Sequence, residues 1–166
     1  MQIRKSTIAD LPRLLEIYQS ARKFMARSGN PNQWRDCWPP EELIKKDIVT
    51  GHNYVCENKG RVVGTFFFDM GKDIEPTYAV IRNGKWKDES PYGVIHRIAS
   101  DGSVKGIGAY CINWCYEKCK HLRIDTHSDN KIMRNLLIKL GFVHCGTIYV
   151  VQDKTPRLAF EKTSLN

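Results

Sequence analysis

Apolar positions recur along this chain with two different periods, and each period predicts a different kind of element. Near the start, Leu14, Leu15 and Tyr18 recur at helical spacing and are predicted to form a buried stripe. Pro12 is tolerated only in the first turn of a helix, so this helix is expected to begin close to Asp10. A helix with one apolar stripe must cover it, and we expect it to pack on a sheet.

Three further helices are predicted over residues 41–49, from residue 109 onward and over residues 131–140. Two prolines stand directly before the first of these, a placement typical of a helix start. Asp129 and Asn130 can cap the last helix, and Gly141 suits its C-terminal end. The apolar stripe of that last helix is predicted to consist of Ile132, Leu136, Leu137 and Leu140.

Short runs rich in apolar residues predict seven strands. They cover Ile3–Lys5, Asn53–Glu57, Val62–Phe68, Tyr92–Ala99, Leu122–Thr126, Phe142–Val151 and Arg157–Glu161. The link Asn58-Lys59-Gly60 is short, polar and contains glycine, so the second and third strands are predicted to form a hairpin. The segment from Asp69 to Pro91 is longer than an ordinary connection, and long ordered loops often carry function.

The chain is organised around the stretch from Tyr92 to Leu122, in which a strand leads into a glycine-rich turn and then a helix. The first N–H groups of a helix have no internal partner and the helix dipole favours negative charge there, so this turn predicts a phosphate site. Two standard phosphate motifs fail here. The dinucleotide pattern would need glycine where Cys111 stands, and the nucleotide pattern would need Lys-Ser or Lys-Thr where Ile107-Gly108 stands.

Composition predicts a single soluble globular domain over residues 1–166, because 42% of the residues are apolar and 27% are charged. No apolar run approaches the roughly 18 residues of a membrane span, and the N-terminus leads directly into a strand, so we expect a cytoplasmic protein and no membrane partner. Cys111, Cys115 and Cys119 recur every four residues, and we interpret them as small core residues rather than a metal site or a disulfide.

The formal charge of +8 favours an anionic partner. Lysine and arginine are spread along the chain, so a polyanionic small molecule accounts for the charge as well as nucleic acid does. A nucleic-acid-binding domain is kept as a distant alternative because of the local run Lys118, Lys120, His121 and Arg123. This run lacks interleaved aromatic residues, and we therefore expect no nucleic-acid partner.

Two motifs resemble those of the GNAT family of N-acetyltransferases. Ser103-Val104-Lys105-Gly106-Ile107-Gly108 resembles the family's pyrophosphate loop, Q/R-x-x-G-x-G/A, and the segment from Asn130 to Phe142 resembles N…L-Y-x-K-x-G-F. The predicted order of elements resembles the family's over essentially the whole chain. The resemblance implies an α/β (α+β) fold with a mixed, mostly antiparallel, twisted sheet of about seven strands and four flanking helices, in which the fourth and fifth strands splay apart.

The resemblance also implies acetyl-CoA as cofactor and no metal. By this resemblance the main chain of Ile98 and Ala99 pairs with the pantetheine arm, the turn holds the pyrophosphate, and further contacts come from the last helix. The cofactor-binding residues so implied are Ile98, Ala99, Ser103, Val104, Lys105, Gly106, Ile107, Gly108, Ala109, Asn130, Met133 and Lys139.

The chain departs from the family pattern at two positions. Ser103 stands in place of glutamine or arginine, which shortens one side-chain clamp. Leu137 stands in place of the tyrosine that often protonates the departing thiolate in the family. A catalytically silent acyl-CoA-binding or sensing module is therefore an alternative to an enzyme.

An acceptor amine must be neutral to attack a thioester, so a general base is expected. His96 is the first candidate, because histidine titrates near neutrality and alternation places Tyr92, Val94 and His96 on one face of the central strand. Tyr92 and His127 are the other catalytic candidates, with Tyr149 on a later strand. Each also has a purely structural interpretation as a core, loop or packing residue.

The acceptor is predicted to be a small-molecule or peptide amine, whose identity the sequence leaves open. Aromatic and amide residues cluster after the first helix, where packing of a helix corner is the simpler explanation and one wall of an acceptor pocket is the alternative. The predicted substrate-binding residues are Phe24, Asn30, Gln33, Trp34 and Tyr78. Family members are often dimers, which makes a homodimer the assembly implied by the resemblance.

Overall fold

The structure is a computed structural model that describes residues 1–151 and 154–164. Within them lie seven strands and four α-helices, in the order predicted from the sequence. They are β1 (Gln2–Lys5), α1 (Leu11–Arg27), α2 (Glu41–Val49), β2 (Asn53–Asn58), β3 (Arg61–Gly71), β4 (Tyr92–Ser100), α3 (Ile107–Cys119), β5 (His121–Thr126), α4 (Lys131–Lys139), β6 (Val143–Tyr149) and β7 (Pro156–Thr163). No helix among these residues is both long and apolar enough to cross a membrane.

The strands form one mixed sheet in the order β1-β2-β3-β4-β5-β7-β6. β1 with β2, β2 with β3, β5 with β7 and β6 with β7 pair antiparallel, whereas β4 and β5 pair parallel. The parallel pairs, Gly93 with Leu122 and Val94 with Arg123, lie near the start of both strands, as a later separation of the two strands requires. The predicted fold class is confirmed.

The chain divides into two compact units. The first comprises Met1–Phe68 and His96–Ile112, and its core packs α1 and α2 on the sheet. That core includes Leu14, Ile17, Tyr18, Ile44 and Val55, which are all fully or almost fully buried. The second comprises Asp69–Ile95 and the chain from Asn113 onward, and buries Leu122, Leu137, Ile148 and Ala159 completely.

Local sequence explains where several elements begin and end. Pro12 lies in the first turn of α1, as predicted, and Asp10 is the capping residue. The hairpin between β2 and β3 turns through Lys59 and Gly60, whose φ angles are 51° and 77°. Two consecutive positive φ angles are typical of a type I′ turn, which matches the twist of paired strands and needs glycine at one position.

Two predicted stripes need correction. In α1, Leu15 is only half-buried, whereas Ile17 and Leu11 are buried beside Leu14 and Tyr18. In α4, Ile132 is 52% exposed, while Leu137 is fully buried. These two residues lie about 140° apart around a helix with 3.6 residues per turn, so a helix that buries a narrow face cannot bury both.

Candidate active site

The predicted phosphate turn connects β4 to α3 within the first unit. Gly102 and Gly106 have φ angles of 77° and 82°, which side chains rarely allow. A Cβ atom added at either glycine would have no heavy atom of the described residues within 4 Å. The turn is therefore open on its outer side, and its backbone can be approached closely by a ligand.

Most amides of this turn are available to a ligand. The amide of Ser103 donates to Asp101 Oδ1 over 2.9 Å and is committed. Within residues 1–151 and 154–164, the amides of Lys105, Gly106, Ile107 and Gly108 donate no hydrogen bond of good geometry to the protein. The four amides stand at the N-terminus of a helix of 13 residues, where the dipole favours an anion.

Asp101 holds the turn in this shape. Its carboxylate accepts hydrogen bonds from the Ser103 hydroxyl at 2.6 Å and from Arg61 at 3.2 Å, and it pairs with Arg13 of α1. Burial alone would raise the pKa of Asp101, but the bonds from Ser103 and Arg13 outweigh burial and leave the pKa below its usual value. Ser103 thus anchors the turn through Asp101, where the family pattern has a longer side chain.

The start of α3 is seated by a close contact with β3. Ile107 is 2% exposed, and a Cβ atom added at Gly64 would lie 2.6 Å from its Cγ2 atom. The same atom would lie 3.2 Å from the carbonyl oxygen of Ala99. Glycine at position 64 therefore allows helix and strand to approach closely enough to position the turn.

An unusual backbone conformation lies in β4, at Arg97. Its φ angle is 53°, a left-handed conformation that costs a residue with a side chain roughly 1–3 kcal/mol. Two contacts from the helices hold it. The Tyr18 hydroxyl of α1 donates to the Arg97 carbonyl oxygen over 3.0 Å, and the Arg97 guanidinium pairs with Asp47 of α2 at 2.8 Å.

This conformation interrupts the alternation of side chains along β4. Both His96 and Arg97 contact the ring of Phe67: the His96 ring lies 5.8 Å from its centroid, and Arg97 Cζ lies 4.6 Å from it. Successive residues of a regular strand would point to opposite faces. The His52 ring also lies near Phe67, with the two ring centroids 5.7 Å apart. His96, the predicted base, therefore lies near a cation and beside an aromatic ring, an arrangement that alternation did not predict.

Asp47 is the buried charge of this cluster. Its side chain is 6% exposed and receives two bonds from Arg97, from Nε at 2.9 Å and from Nη2 at 2.8 Å. Burial raises the pKa of Asp47, while Arg97 and the two histidines, His96 and His52, oppose that rise. Asp47 occupies the apolar stripe of α2 beside Ile44 and Ile48, a misplaced charge that could have drawn attention to it from the sequence.

Four of the predicted acceptor-binding residues lie in the first unit. Trp34 is buried against the ring of Tyr18, with ring centroids 5.8 Å apart, which is the packing role considered for it. Asn30 is buried and donates to Gln33 over 2.9 Å. Phe24 is 52% exposed. The structure thus groups Asn30 with Gln33 and ties Trp34 to α1.

The fifth, Tyr78, lies in the second unit together with Tyr92. Its hydroxyl donates to Asp125 Oδ2 over 2.7 Å, and its ring lies 6.2 Å from that of Tyr92. Burial and the neighbouring Asp125 carboxylate raise the pKa of Tyr78 well above its ordinary value. Burial also raises the pKa of Tyr92, so both phenols are proton donors rather than bases at neutral pH.

A buried ionic network orders the long segment before β4. Glu161 of β7 has no exposed surface and accepts from His121 Nε2 at 2.9 Å and Arg123 Nε at 3.1 Å. Burial would raise the pKa of Glu161, but His121, the Lys87 amide and Arg123 together lower it. Arg123 also lies between the rings of Trp86 and Tyr92, at 4.3 and 4.2 Å from their centroids.

Three of the remaining predicted residues, His127, Asn130 and Met133, lie at the start of α4. Asn130 caps this helix by accepting from the Met133 amide at 3.1 Å, as predicted. The amide of Asn130 donates to the His127 carbonyl oxygen over 3.0 Å, so His127, Asn130 and Met133 lie together. Lys139 is exposed at the far end of the helix, and Tyr149 is exposed on β6 beneath the Arg82 guanidinium.

The chain belongs to the GNAT family of acetyltransferases. The family model described as "Acetyltransferase (GNAT) family" matches residues 12–142, which include the phosphate turn and the second motif up to Phe142. A comparison with curated proteins gives no significant match.

Solved structures of similar fold include three acetyltransferases. An acetyltransferase of the GNAT family from Streptococcus agalactiae is 29% identical, with a TM-score of 0.87, and the match covers 98% of this chain and 95% of that one. A GNAT acetyltransferase from Listeria monocytogenes is 15% identical, with a TM-score of 0.68 and coverage of 97% and 93%. A ribosomal-protein-alanine N-acetyltransferase from Brucella melitensis is 21% identical, with a TM-score of 0.62 and coverage of 98% and 99%.

Proposed function

We propose that this protein transfers an acetyl group from acetyl-CoA to a primary amine of a small molecule or peptide, by direct attack of the amine on the thioester. The observation that carries this proposal is the open turn before α3, whose amides from Lys105 to Gly108 donate no hydrogen bond of good geometry to the described residues. Membership of an acetyltransferase family supports the same reaction.

The residues present fit the cofactor. The glycine turn offers amides and the Lys105 ammonium to a pyrophosphate, and no side chain in the described part of the chain fills the space beside Gly102 or Gly106. The main chain of Ile98 and Ala99 would hold the pantetheine arm, with Ala109 as a further candidate contact in the first unit. The cofactor-binding roles of Asn130, Met133 and Lys139, which lie in the second unit, remain predictions. Acetyl-CoA supplies the activated acetyl group and a thiol leaving group.

His96 is proposed to take the proton from the attacking amine. It lies on β4 two residues before Ile98, and its ring is half-buried against Phe67 rather than enclosed in the core. A well-placed general base contributes roughly 10²- to 10⁴-fold to a rate. Tyr92 and His127 remain the second and third candidates for proton transfer.

Leu137 supports one alternative, a module that binds acyl-CoA without catalysis. Leu137 stands where the family often has a proton-donating tyrosine, and it is fully buried. A leucine side chain has no acidic proton, so it cannot protonate the leaving thiolate. A thiol with a pKa of about 8.5 can leave without that help, and for this reason we favour the enzyme.

One paired experiment tests the proposal. Calorimetry measures acetyl-CoA binding, and release of free thiol is followed over a panel of amines, amino acids, polyamines and aminoglycosides. We expect saturable binding and acceptor-dependent thiol release. Binding without release for any acceptor would establish the silent module, and no binding at millimolar cofactor would remove both functions.

A further inference from the structure

Arg97 combines three unusual properties at one position. It keeps a left-handed conformation inside a strand, its carbonyl is held by a helix of the same unit, and its guanidinium lies over a phenylalanine ring beside the proposed base. A strained residue persists only where its surroundings over-determine it, and such residues concentrate at functional sites. The position therefore calls for a role that a regular strand residue could not fill.

The strain has a chemical consequence. Because alternation breaks at Arg97, both its guanidinium and the His96 ring contact the ring of Phe67, although the two residues are consecutive in the strand. The proposed base and an arginine thus lie against one aromatic side chain within the first unit. Arginine in such a place is suited to a planar anion, since its donors match a carboxylate in pairs.

The guanidinium has donors to spare. Nε and Nη2 both donate to one oxygen of Asp47, at 2.9 and 2.8 Å. In the part of the chain that the structure describes, Nη1 has no acceptor. The Arg97 side chain is 12% exposed and the Asp47 side chain 6%, so the donor group is the more accessible partner of this ion pair.

The charges around Asp47 and Arg97 do not favour the binding of a second cation. Asp47 is paired with Arg97, and the other titratable side chains that act on Asp47 are two histidines, His52 and His96, which carry no negative charge. A guanidinium donor makes its strongest hydrogen bonds to anionic oxygen, so an anion is the ligand group that we expect at Nη1. An α-amino acid carries its amine and its carboxylate on one carbon, so a single molecule can present the amine to His96 and the carboxylate to Arg97.

We infer that Arg97 binds the carboxylate of a free amino acid, and that the amine of this amino acid is the group acetylated. The inference rests on the proposed function and narrows it from amines in general to amino acids. A peptide N-terminus or a polyamine would leave the spare donor unpaired, because neither carries a carboxylate next to the reacting amine.

The test compares matched acceptors. Each of the common amino acids is assayed by thiol release beside its carboxamide and the amine that lacks the carboxyl group. We expect at least one amino acid to exceed both of its analogues in kcat/KM by about 10- to 100-fold, the loss expected for one or two charge-assisted hydrogen bonds. If the acceptor with the highest kcat/KM has no carboxylate, the inference is wrong, although the proposed function still stands.

A double variant tests the residue itself. Arg97→Gln combined with Asp47→Asn removes both charges without leaving either one buried and alone. We expect KM for the preferred amino acid to rise about 10- to 100-fold more than KM for its amide, because any disturbance of His96 acts on both acceptors alike.

The matched control is Arg4→Gln with Asp10→Asn, an ion pair elsewhere in the first unit, which should leave KM for the amino acid unchanged. An equal rise in KM for the amino acid and its amide would show that the ion pair of Arg97 and Asp47 has only a structural role. If no amine releases thiol although acetyl-CoA binds, the inference and the proposed function fail together.

Discussion

A positive φ angle at Arg97 brings two consecutive side chains, His96 and Arg97, onto the ring of Phe67. The Tyr18 hydroxyl and the Asp47 carboxylate hold the residue in this conformation from two different helices. Burial raises the pKa of Tyr18, which keeps the phenol protonated and able to donate to the Arg97 carbonyl. At the scale of the residue, the proposed base is therefore placed by contacts that are distant in sequence.

Replacing the proposed base should slow the reaction in a pH-dependent way. His96→Ala is expected to lower kcat/KM by about 100-fold or more near neutral pH, because the acceptor amine is then mostly protonated. This loss in kcat/KM should become smaller as pH approaches the pKa of the amine, because more of the amine is then neutral before it binds. His144→Ala on β6 is the control and should keep the original pH profile; a uniform loss at every pH would argue against His96 as the base.

The phosphate turn can be tested with two glycines of similar conformation. Gly106→Asp is expected to abolish acetyl-CoA binding in calorimetry, because it adds both a side chain and a negative charge where a pyrophosphate would lie. Gly60→Asp places the same side chain at φ 77° in the β2–β3 turn, where space is equally open. Since the backbone strain is comparable, loss of binding in both variants would show destabilisation rather than a phosphate site.

At the scale of the element, β4, the turn and α3 act as one assembly in which the helix start is seated on β3. Ile107 is the first residue of α3 and is buried against Gly64. Asp101 fixes the other end of the turn to α1 through Arg13. The amides that would face a phosphate therefore depend on packing behind the turn.

Filling the space at Gly64 should disturb this assembly. Gly64→Ala places a Cβ atom 2.6 Å from Ile107 Cγ2. This methyl group cannot easily rotate away, because isoleucine is branched at Cβ and its χ1 angle is restricted. We expect a loss of roughly 1–3 kcal/mol in the free energy of unfolding, measured with urea, and weaker acetyl-CoA binding. Ile107→Leu removes the clashing methyl, so the double variant should recover part of both losses; no recovery would mean that the Ala99 carbonyl is the limiting contact.

At the scale of the whole molecule, several partly or fully buried acids lie beside arginines, although the chain carries a net charge of +8. Arg4 lowers the pKa of Asp10 to about 2 against the opposing effect of burial, and Asp101 and Glu161 also have lowered pKa values. A carboxyl whose pKa is lowered on folding contributes stability above its unfolded pKa, and this stability is lost as pH falls through the folded value.

Acid should therefore unfold the protein through these groups. For Asp10, the window runs from the ordinary value near 4 down to about 2. We expect Asp10→Asn to be less stable than the unmodified protein by roughly 1 kcal/mol at pH 7 in urea unfolding, with the difference disappearing by about pH 2. Glu16→Gln, at a more exposed partner of Arg13, is the control and should show no such pH dependence.

Much of the architecture could be predicted from the sequence because it depends on near neighbours. The helix at 41–49 was predicted to within a residue, and the capping role of Asn130 was correct, since both follow from patterns within a few positions. The open glycine turn was found for the same reason. The exposure of Ile132 was predicted incorrectly, because periodicity alone does not say how wide a face the neighbouring elements cover.

The candidate site was predicted less completely. Arg97 and Asp47 are 50 residues apart in sequence, and no local pattern indicated that they pair or that Arg97 turns left-handed. The same holds for Glu161 with His121, which are 40 residues apart and order the segment before β4 together with Arg123 and Lys87. The substrate-binding role of the first-unit residues remains a prediction, and Trp34 lies in the core of that unit.

By itself the sequence determined the order of elements, the family and the glycine turn, because backbone preferences and side-chain periodicity act over a few residues. Only the tertiary structure decided which side chains surround the proposed base. Burial of an ion pair and of a phenol compensates for a strained backbone at Arg97, and that balance exists only when two helices and a strand are packed together.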